Sequence, residues 1–245
     1  LAPAGSLESL YAAINKGCDA VYLGGNKFSA RAYASNFNNE AMQKAVDYAH
    51  IYNVKVYVTI NTLLKEKEIE DAVKYAGYLY EIGVDALIIQ DLGLLKRLSE
   101  SYPDFEIHAS TQITIHNSDA AIYFIEKGFK RIVLSREMTL KEIEYISKDL
   151  GIETEMFIHG ALCVCYSGQC LMSSIIGGRS GNRGRCAQPC RMEYKLINES
   201  GQEKKGYLLS PKDMCTIDEI ENIINTGTTS LKIEGRMKKA EYVAC

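Results

Sequence analysis

The sequence predicts an α/β protein of the (β/α)8 type, a TIM-barrel-like fold, and three observations carry that expectation. Amphipathic helix-like stretches alternate with short β-rich runs along the chain. A glycine stands at most of the helix-to-strand junctions, where a left-handed residue stops a helix. Eight strand-like runs follow one another, the number that closes a parallel barrel. An open, doubly wound sheet uses the same alternation, so periodicity leaves closure to the structure.

Leu1 to Pro3 reads as the first strand, and Lys16-Gly17-Cys18-Asp19-Ala20 leads into the second, Val21 to Leu23. Asn53 precedes the third, Val54 to Ile60. Ile69, Ala72, Val73, Ala76 and Tyr80 then fall three to four apart, the stripe of a helix with one buried face. Ile82-Gly83-Val84-Asp85-Ala86 introduces Leu87 to Ile89, and Pro103 introduces Phe105 to His108. Lys127-Gly128 precedes Ile132 to Leu134, Gly151 precedes Glu155 to Phe157, and Gly227 precedes Leu231 to Ile233. The long interval between Gly151 and Gly227 marks an insertion between strands seven and eight. Within it, Glu193 to Ile197 and Gly206 to Ser210 read as a hairpin, with Asn198 to Lys205 as its polar turn.

The chain has 245 residues, 47% hydrophobic and 24% charged, with 19 glycines. That balance suits one large globular domain and excludes disordered and collagenous classes. No run approaches the roughly 18 apolar residues of a membrane span, and no cleavable signal pattern opens the chain. Net charge of -3 neither demands nor forbids a polyanionic partner. Leu1 is not Met, and Cys245 falls inside a helical pattern, so a fragment of a longer protein is expected: one barrel-type domain over 1–245 carrying a Cys-rich insertion at 159–215.

That insertion holds Cys163, Cys165, Cys170, Cys186, Cys190 and Cys215, six of eight cysteines. Cys18 and Cys245 fit ordinary apolar packing, but six clustered thiols exceed it. Disulfides belong mainly to small exported domains with poor cores, and structural zinc favours CxxC pairs, whereas the pairs here are CxC and CxxxC. An iron-sulfur cluster needs four convergent thiolates and tolerates irregular spacing, with Gly168, Gly177, Gly178, Gly181 and Gly184 permitting close backbone approach. Spacing allows each metal reading without selecting one.

The run from Glu155 to Ser173, with Phe157, Gly160-Ala161, Cys163, Gly168 and Cys170 between, resembles the signature of the peptidase U-32 family, E-x-F-x-x-G-[SA]-x-C-x4-6-G-x-C-x-x-S. Gly178-Arg179, Asn182 to Arg191, Ser210 to Cys215, Lys232 to Met237 and the opening Leu1 to Gly5 extend the resemblance over nearly the whole chain. Family likeness implies oxygen-independent hydroxylation, in several members with a 4Fe-4S cluster and, for RNA substrates, with prephenate as co-substrate. The wording around Gly177 to Cys186 is most similar to the ribosomal RNA cytidine hydroxylase type; transfer RNA uridine hydroxylation and quinone-biosynthesis hydroxylation are the neighbouring expectations. Carried over position by position, the resemblance implies Cys163, Cys170, Cys186 and Cys215 as cluster ligands, with Cys190 as the alternate. Such a cluster favours a reducing, cytoplasmic setting.

Strand ends supply the remaining candidates, because barrel chemistry sits at the carboxyl ends of strands. They include Asn61, Gln90-Asp91, His108 to Gln112, Ser135-Arg136-Glu137, His159 and Glu234-Gly235-Arg236. Arg136 and Arg236 suit the carboxylates of an anionic co-substrate, while His108, His159 and Glu234 are candidates for proton transfer. Arg179, Arg183, Arg185 and Arg191 give the insertion a basic run, either a solvated face or a contact for RNA phosphates, with Tyr166 or Tyr194 to stack on a base.

The family's older label implies proteolysis. That reading would use Cys163 or Cys170 as nucleophile and His159 as base, and neither HExxH nor GxSxG occurs. A metal-bearing scaffold without turnover is the third class.

Overall fold

A computed structural model describes residues 1–31 and 34–245. In chain order the first half runs β1 (Ala2–Pro3), α1 (Leu7–Asn15), β2 (Ala20–Gly24), α2 (Asn39–Ile51), β3 (Lys55–Ile60), α3 (Glu66–Glu81), β4 (Ala86–Ile89), α4 (Leu92–Ser101) and β5 (Glu106–Ala109). It continues through α5 (Ser118–Glu126), β6 (Arg131–Val133), α6 (Leu140–Glu144) and β7 (Thr154–Gly160). The insertion contributes α7 (Met172–Gly177), β8 (Tyr194–Ile197), β9 (Glu203–Gly206) and β10 (Met214–Cys215), before α8 (Ile220–Asn225), β11 (Ser230–Ile233) and α9 (Ala240–Ala244).

Strands β1 to β7 pair in sequence, all parallel, and β11 adds in parallel to β7. Ile233 N–H then donates to Leu1 O at 3.2 Å, and Leu1 N donates to Leu231 O at 2.8 Å. The sheet therefore curls until its last strand meets its first, as the eight-strand reading requires.

Local chemistry sets the helix boundaries. Ser6, Asn38, Asp91, Asn117 and Thr139 each accept the backbone N–H three residues ahead, capping α1, α2, α4, α5 and α6. Gly17, Gly83, Gly128, Gly151 and Gly227, the five glycine junctions of the sequence, all take positive φ.

Two apolar layers result. Leu10, Leu23, Met42, Val58, Leu79, Leu87 and Leu98 belong to the layer between strands and helices. A smaller cluster, Ala20, Tyr22, Tyr57, Ala86 and Ile88, belongs to the barrel interior. The interior also holds polar groups: Lys232 Nζ lies 2.8 Å from Glu155 Oε1 and 4.2 Å from the centroid of the Tyr22 ring.

The hairpin departs from expectation in one strand. Tyr194–Ile197 pairs antiparallel with Glu203–Gly206, so the second strand begins inside the segment read as turn and takes its last three residues. Lys195 with Glu203 and Lys205 with Glu193 join the strands as ion pairs, and the polarity that suggested a turn belongs to a solvated ribbon. The chain then returns to the barrel through β10, which runs antiparallel to the end of β7 with Met214 opposite Gly160 and Cys215 opposite His159.

Candidate active site at the barrel mouth

Three guanidiniums gather around one carboxylate at the carboxyl end of the barrel. Glu234, just past β11, has Arg31 Nη2 at 3.3 Å and Arg136 Nη2 at 3.5 Å, both on Oε2. Arg236 lies deeper, 5% exposed, and Nη1 donates to Ser29 Oγ and Thr59 Oγ1, each at 2.8 Å. Gly24 makes room for it: a Cβ there would lie 2.6 Å from Arg236 Nη1.

The electrostatics follow from crowding and burial. Burial pushes the Glu234 carboxyl up, but Arg31, Arg136 and Arg236 together outweigh it and hold the group below its ordinary value. Burial, with repulsion from Arg31, pushes Arg236 down to about 10. Burial also lowers Arg136, whose Nε is buried with no hydrogen-bond partner among the described residues. Among the described residues cationic donors exceed their protein acceptors here, which is the condition for receiving an anion.

The other predicted strand-end groups divide. His108 is fully buried one layer below, its Nε2 2.7 Å from Glu106 Oε1 and its ring 4.9 Å from Tyr57. Residues of β5 alternate in direction, which turns His108 into the barrel, and its place within the strand rather than at its end keeps it in the filling. The ring of His159 lies 5.9 Å from that of Tyr242 on the α9 side. Asn61, Gln90 and Asp91 tether loops: Asn61 accepts from Ala30 N–H, Gln90 donates to Asn61 O, and Asp91 accepts from Leu64 and Leu94 N–H.

The cysteine insertion lies over this mouth as a strap, fixed on opposite sides. On one side Ser167 N–H donates to Glu137 Oε1 at 2.8 Å, and Thr114 Oγ1 donates to Ser167 O at 2.6 Å. On the other, Arg183 forks onto Glu68 at 2.7 and 2.8 Å and also donates to Leu63 O. Arg183 holds the Glu68 carboxyl down at about 2, assisted by Lys65 N–H.

All six strap cysteines are free thiols. Burial raises the Cys190 thiol, and Cys163, Cys186 and Cys170 add to that rise, which makes these three electrostatic neighbours of Cys190. Gly181 lies against Cys170 and Cys186, and Gln188 N–H donates to Cys186 Sγ at 3.4 Å. Arg191 ties three cysteine-bearing segments: it donates to Leu162 O beside Cys163, to Ser210 Oγ and Pro211 O, and lies 3.8 Å from Asp213 near Cys215. Among the described residues, no three Cys, His, Asp or Glu side chains converge at metal-coordinating distance. The fit to a cluster is therefore one of donor chemistry, with soft thiols from four segments gathered over the mouth.

The basic run accordingly splits. Arg183 and Arg191 use their guanidiniums within the protein, whereas Arg179 and Arg185 lie on the exposed face, Arg179 with its Nε donating to Arg185 O. Tyr194 donates to Pro189 O, while Tyr166 is 63% exposed, its ring 5.7 Å from that of His116. Arg31 was not among the sequence candidates, because only tertiary folding brings the loop after β2 to Glu234.

Fold and site together define a TIM-barrel-like protein with an arginine-lined mouth beneath a cysteine-rich strap. The chain belongs to peptidase family U32, whose model matches residues 5–245. It is 38% identical to the tRNA hydroxylation protein P1 of Bacillus subtilis, covering 100% of this chain and 60% of that protein. It is 43% identical to the 23S rRNA 5-hydroxycytidine C2501 synthase of Escherichia coli, covering 99% of this chain and 37% of that enzyme. A protein named collagenase from Porphyromonas gingivalis is 34% identical, over 99% of this chain and 62% of that one. The chain thus spans between about a third and two thirds of these relatives. Among solved structures, that of the U32 peptidase Mk0906 superposes with a TM-score of 0.57 at 12% identity, over 89% of this chain and 85% of that one, a likeness of fold. No helix among the described residues is long and apolar enough to cross a membrane.

Proposed function

We propose that this chain is the barrel part of an oxygen-independent RNA nucleobase hydroxylase that binds a 4Fe-4S cluster and uses prephenate as co-substrate, in the cytoplasm. The observation that carries the proposal is the neighbourhood of gathered thiols and a buried excess of guanidinium donors. Relatives named for tRNA hydroxylation and rRNA hydroxycytidine synthesis support RNA as the substrate class.

Cys163, Cys170, Cys186 and Cys215 would hold the cluster, with Cys190 as the alternate. A cluster bound there supplies electron transfer. Arg136 would hold the co-substrate anion above the buried Arg236, with Glu234 keeping Arg136 aimed. Arg179 and Arg185 offer phosphate contacts on the exposed face, and Tyr166 offers a stacking surface.

The test is mass spectrometry of total RNA nucleosides from a deletion strain and from strains complemented with wild-type and variant proteins. Loss of a hydroxylated nucleoside on deletion, restored by wild type, supports the reading. Full retention of every hydroxylated nucleoside in the deletion strain overturns it.

A further inference from the structure

Arg31 and Arg136 reach Glu234 from the segments after β2 and β6 and converge on one oxygen, at 3.3 and 3.5 Å. Arg236 does not share this position: its Nη1 is committed to Ser29 and Thr59, and the side chain is buried beneath the others. Exposure orders the three. Arg31 is 33% exposed at the side chain, Arg136 15%, and Arg236 as a residue 5%. Two guanidiniums therefore face the open side of the mouth, and the third supports them from below.

Donor count points the same way. A guanidinium carries five N–H donors. Among the described residues Arg136 has a buried Nε without a partner, and the single shared Glu234 oxygen leaves Arg31 and Arg136 with donors to spare. Arg31 donates otherwise to Ala30 O. The same pair borders the strap, for Cys163 is an electrostatic neighbour of Arg136 and Cys186 of Arg31.

We infer that Arg31 and Arg136, not Arg136 and Arg236, form the arginine pair that receives the carboxylate of the co-substrate, seating it between Glu234 and the thiols of Cys163 and Cys186. Arg31 is thus a binding residue, and Arg236 is a positioning residue that fixes the floor of the site. This inference rests on the proposed anion-dependent reading and names the residues that serve it.

The test is calorimetric titration of purified full-length protein with prephenate and with malonate, comparing wild type, Arg31→Gln, Arg31→Lys, Arg136→Gln and the Arg31→Gln/Arg136→Gln double variant. Thermal melting controls for folding. Arg31→Gln is expected to weaken prephenate binding by about tenfold to a hundredfold, the effect of losing a charged hydrogen-bonding partner. Arg31→Lys should recover part of that loss, and the double variant should lose less than the product of the single effects, because both side chains share one ligand group. In anaerobically reconstituted protein, prephenate should shift the visible absorption of wild type and leave that of Arg31→Gln unchanged.

Prephenate affinity within about twofold of wild type in Arg31→Gln overturns the inference; if the deletion strain still loses its hydroxylated nucleoside, the functional reading survives that result. Arg31-dependent binding of malonate without binding of prephenate keeps the arginine pair and removes the co-substrate. Binding of neither anion to wild type removes both.

Discussion

Glu155 on β7 and Lys232 on β11 meet at 2.8 Å inside the barrel, with 0% and 5% of their side chains exposed. Ser230 Oγ donates to the second Glu155 oxygen at 2.9 Å, and the Lys232 ammonium also lies 5.4 Å from the Phe157 ring. The pair joins the two strands that bracket the cysteine strap. Lys232→Met leaves a carboxylate buried without its counter-ion, and the expected loss of stability is about 3–5 kcal/mol. Urea denaturation measures it, and a Glu155→Leu/Lys232→Met double variant should be more stable than Lys232→Met alone.

Arg183 and Glu68 latch the far side of the strap, and the latch is sensitive to acid. Glu68 has a depressed pKa in the folded state, so its contribution is present above its unfolded value near 4.5 and is lost as pH falls toward about 2. Limited proteolysis across that range should show cleavage between residues 163 and 190 rising as pH falls. In Glu68→Gln the same cleavage should already be present at neutral pH. A digestion pattern independent of both pH and residue 68 contradicts the latch.

The cluster assignment makes a compositional prediction. Anaerobically purified wild type should contain iron and acid-labile sulfide in equal amounts, and Ser in place of Cys163, Cys170, Cys186 or Cys215 should remove both. Cys18→Ser should leave them, since Cys18 packs beside the core formed by α1 and β2. Zinc as the sole metal in wild type would rule out the cluster.

Arg191 should behave as a structural member of that assembly. It links Leu162, Ser210, Pro211 and Asp213. Arg191→Lys keeps the charge but cannot reproduce the fork, so iron content is expected to fall while RNA affinity measured at fixed iron occupancy stays within about twofold. A selective loss of RNA binding would return Arg191 to the phosphate contacts its sequence context suggests.

Gly24→Ala tests the mouth without replacing a polar side chain. The added methyl would collide with Arg236 and Ser29. Weaker anion binding with little change in melting temperature is expected. Unchanged binding would show that the floor of the site is not rigid.

The sequence carried the barrel because its punctuation is local. Gly17, Gly83 and Gly128 each act on a backbone within a few residues, and such signals survive without tertiary knowledge. The second hairpin strand was hidden because Glu203 to Lys205 is polar on both faces, and the cross-strand ion pairs that organise it exist only after folding. Glu234 and Arg136 were legible as strand-end residues. Arg31 was not, since its partner lies more than two hundred positions away in the chain, and His108 lies lower because two steps along β5 separate the barrel filling from the mouth on one inward face.

Because β10 pairs with the last residues of β7, the chain leaves the barrel at Gly160 and comes back beside it at Met214. Everything between is a cassette whose two ends are already joined by the sheet. Closing such a loop costs only slowly more as it lengthens. Strap sequences of different length and thiol spacing can therefore be exchanged on one unaltered barrel, and chemistry at the mouth can diversify without any change in the frame that holds the arginines.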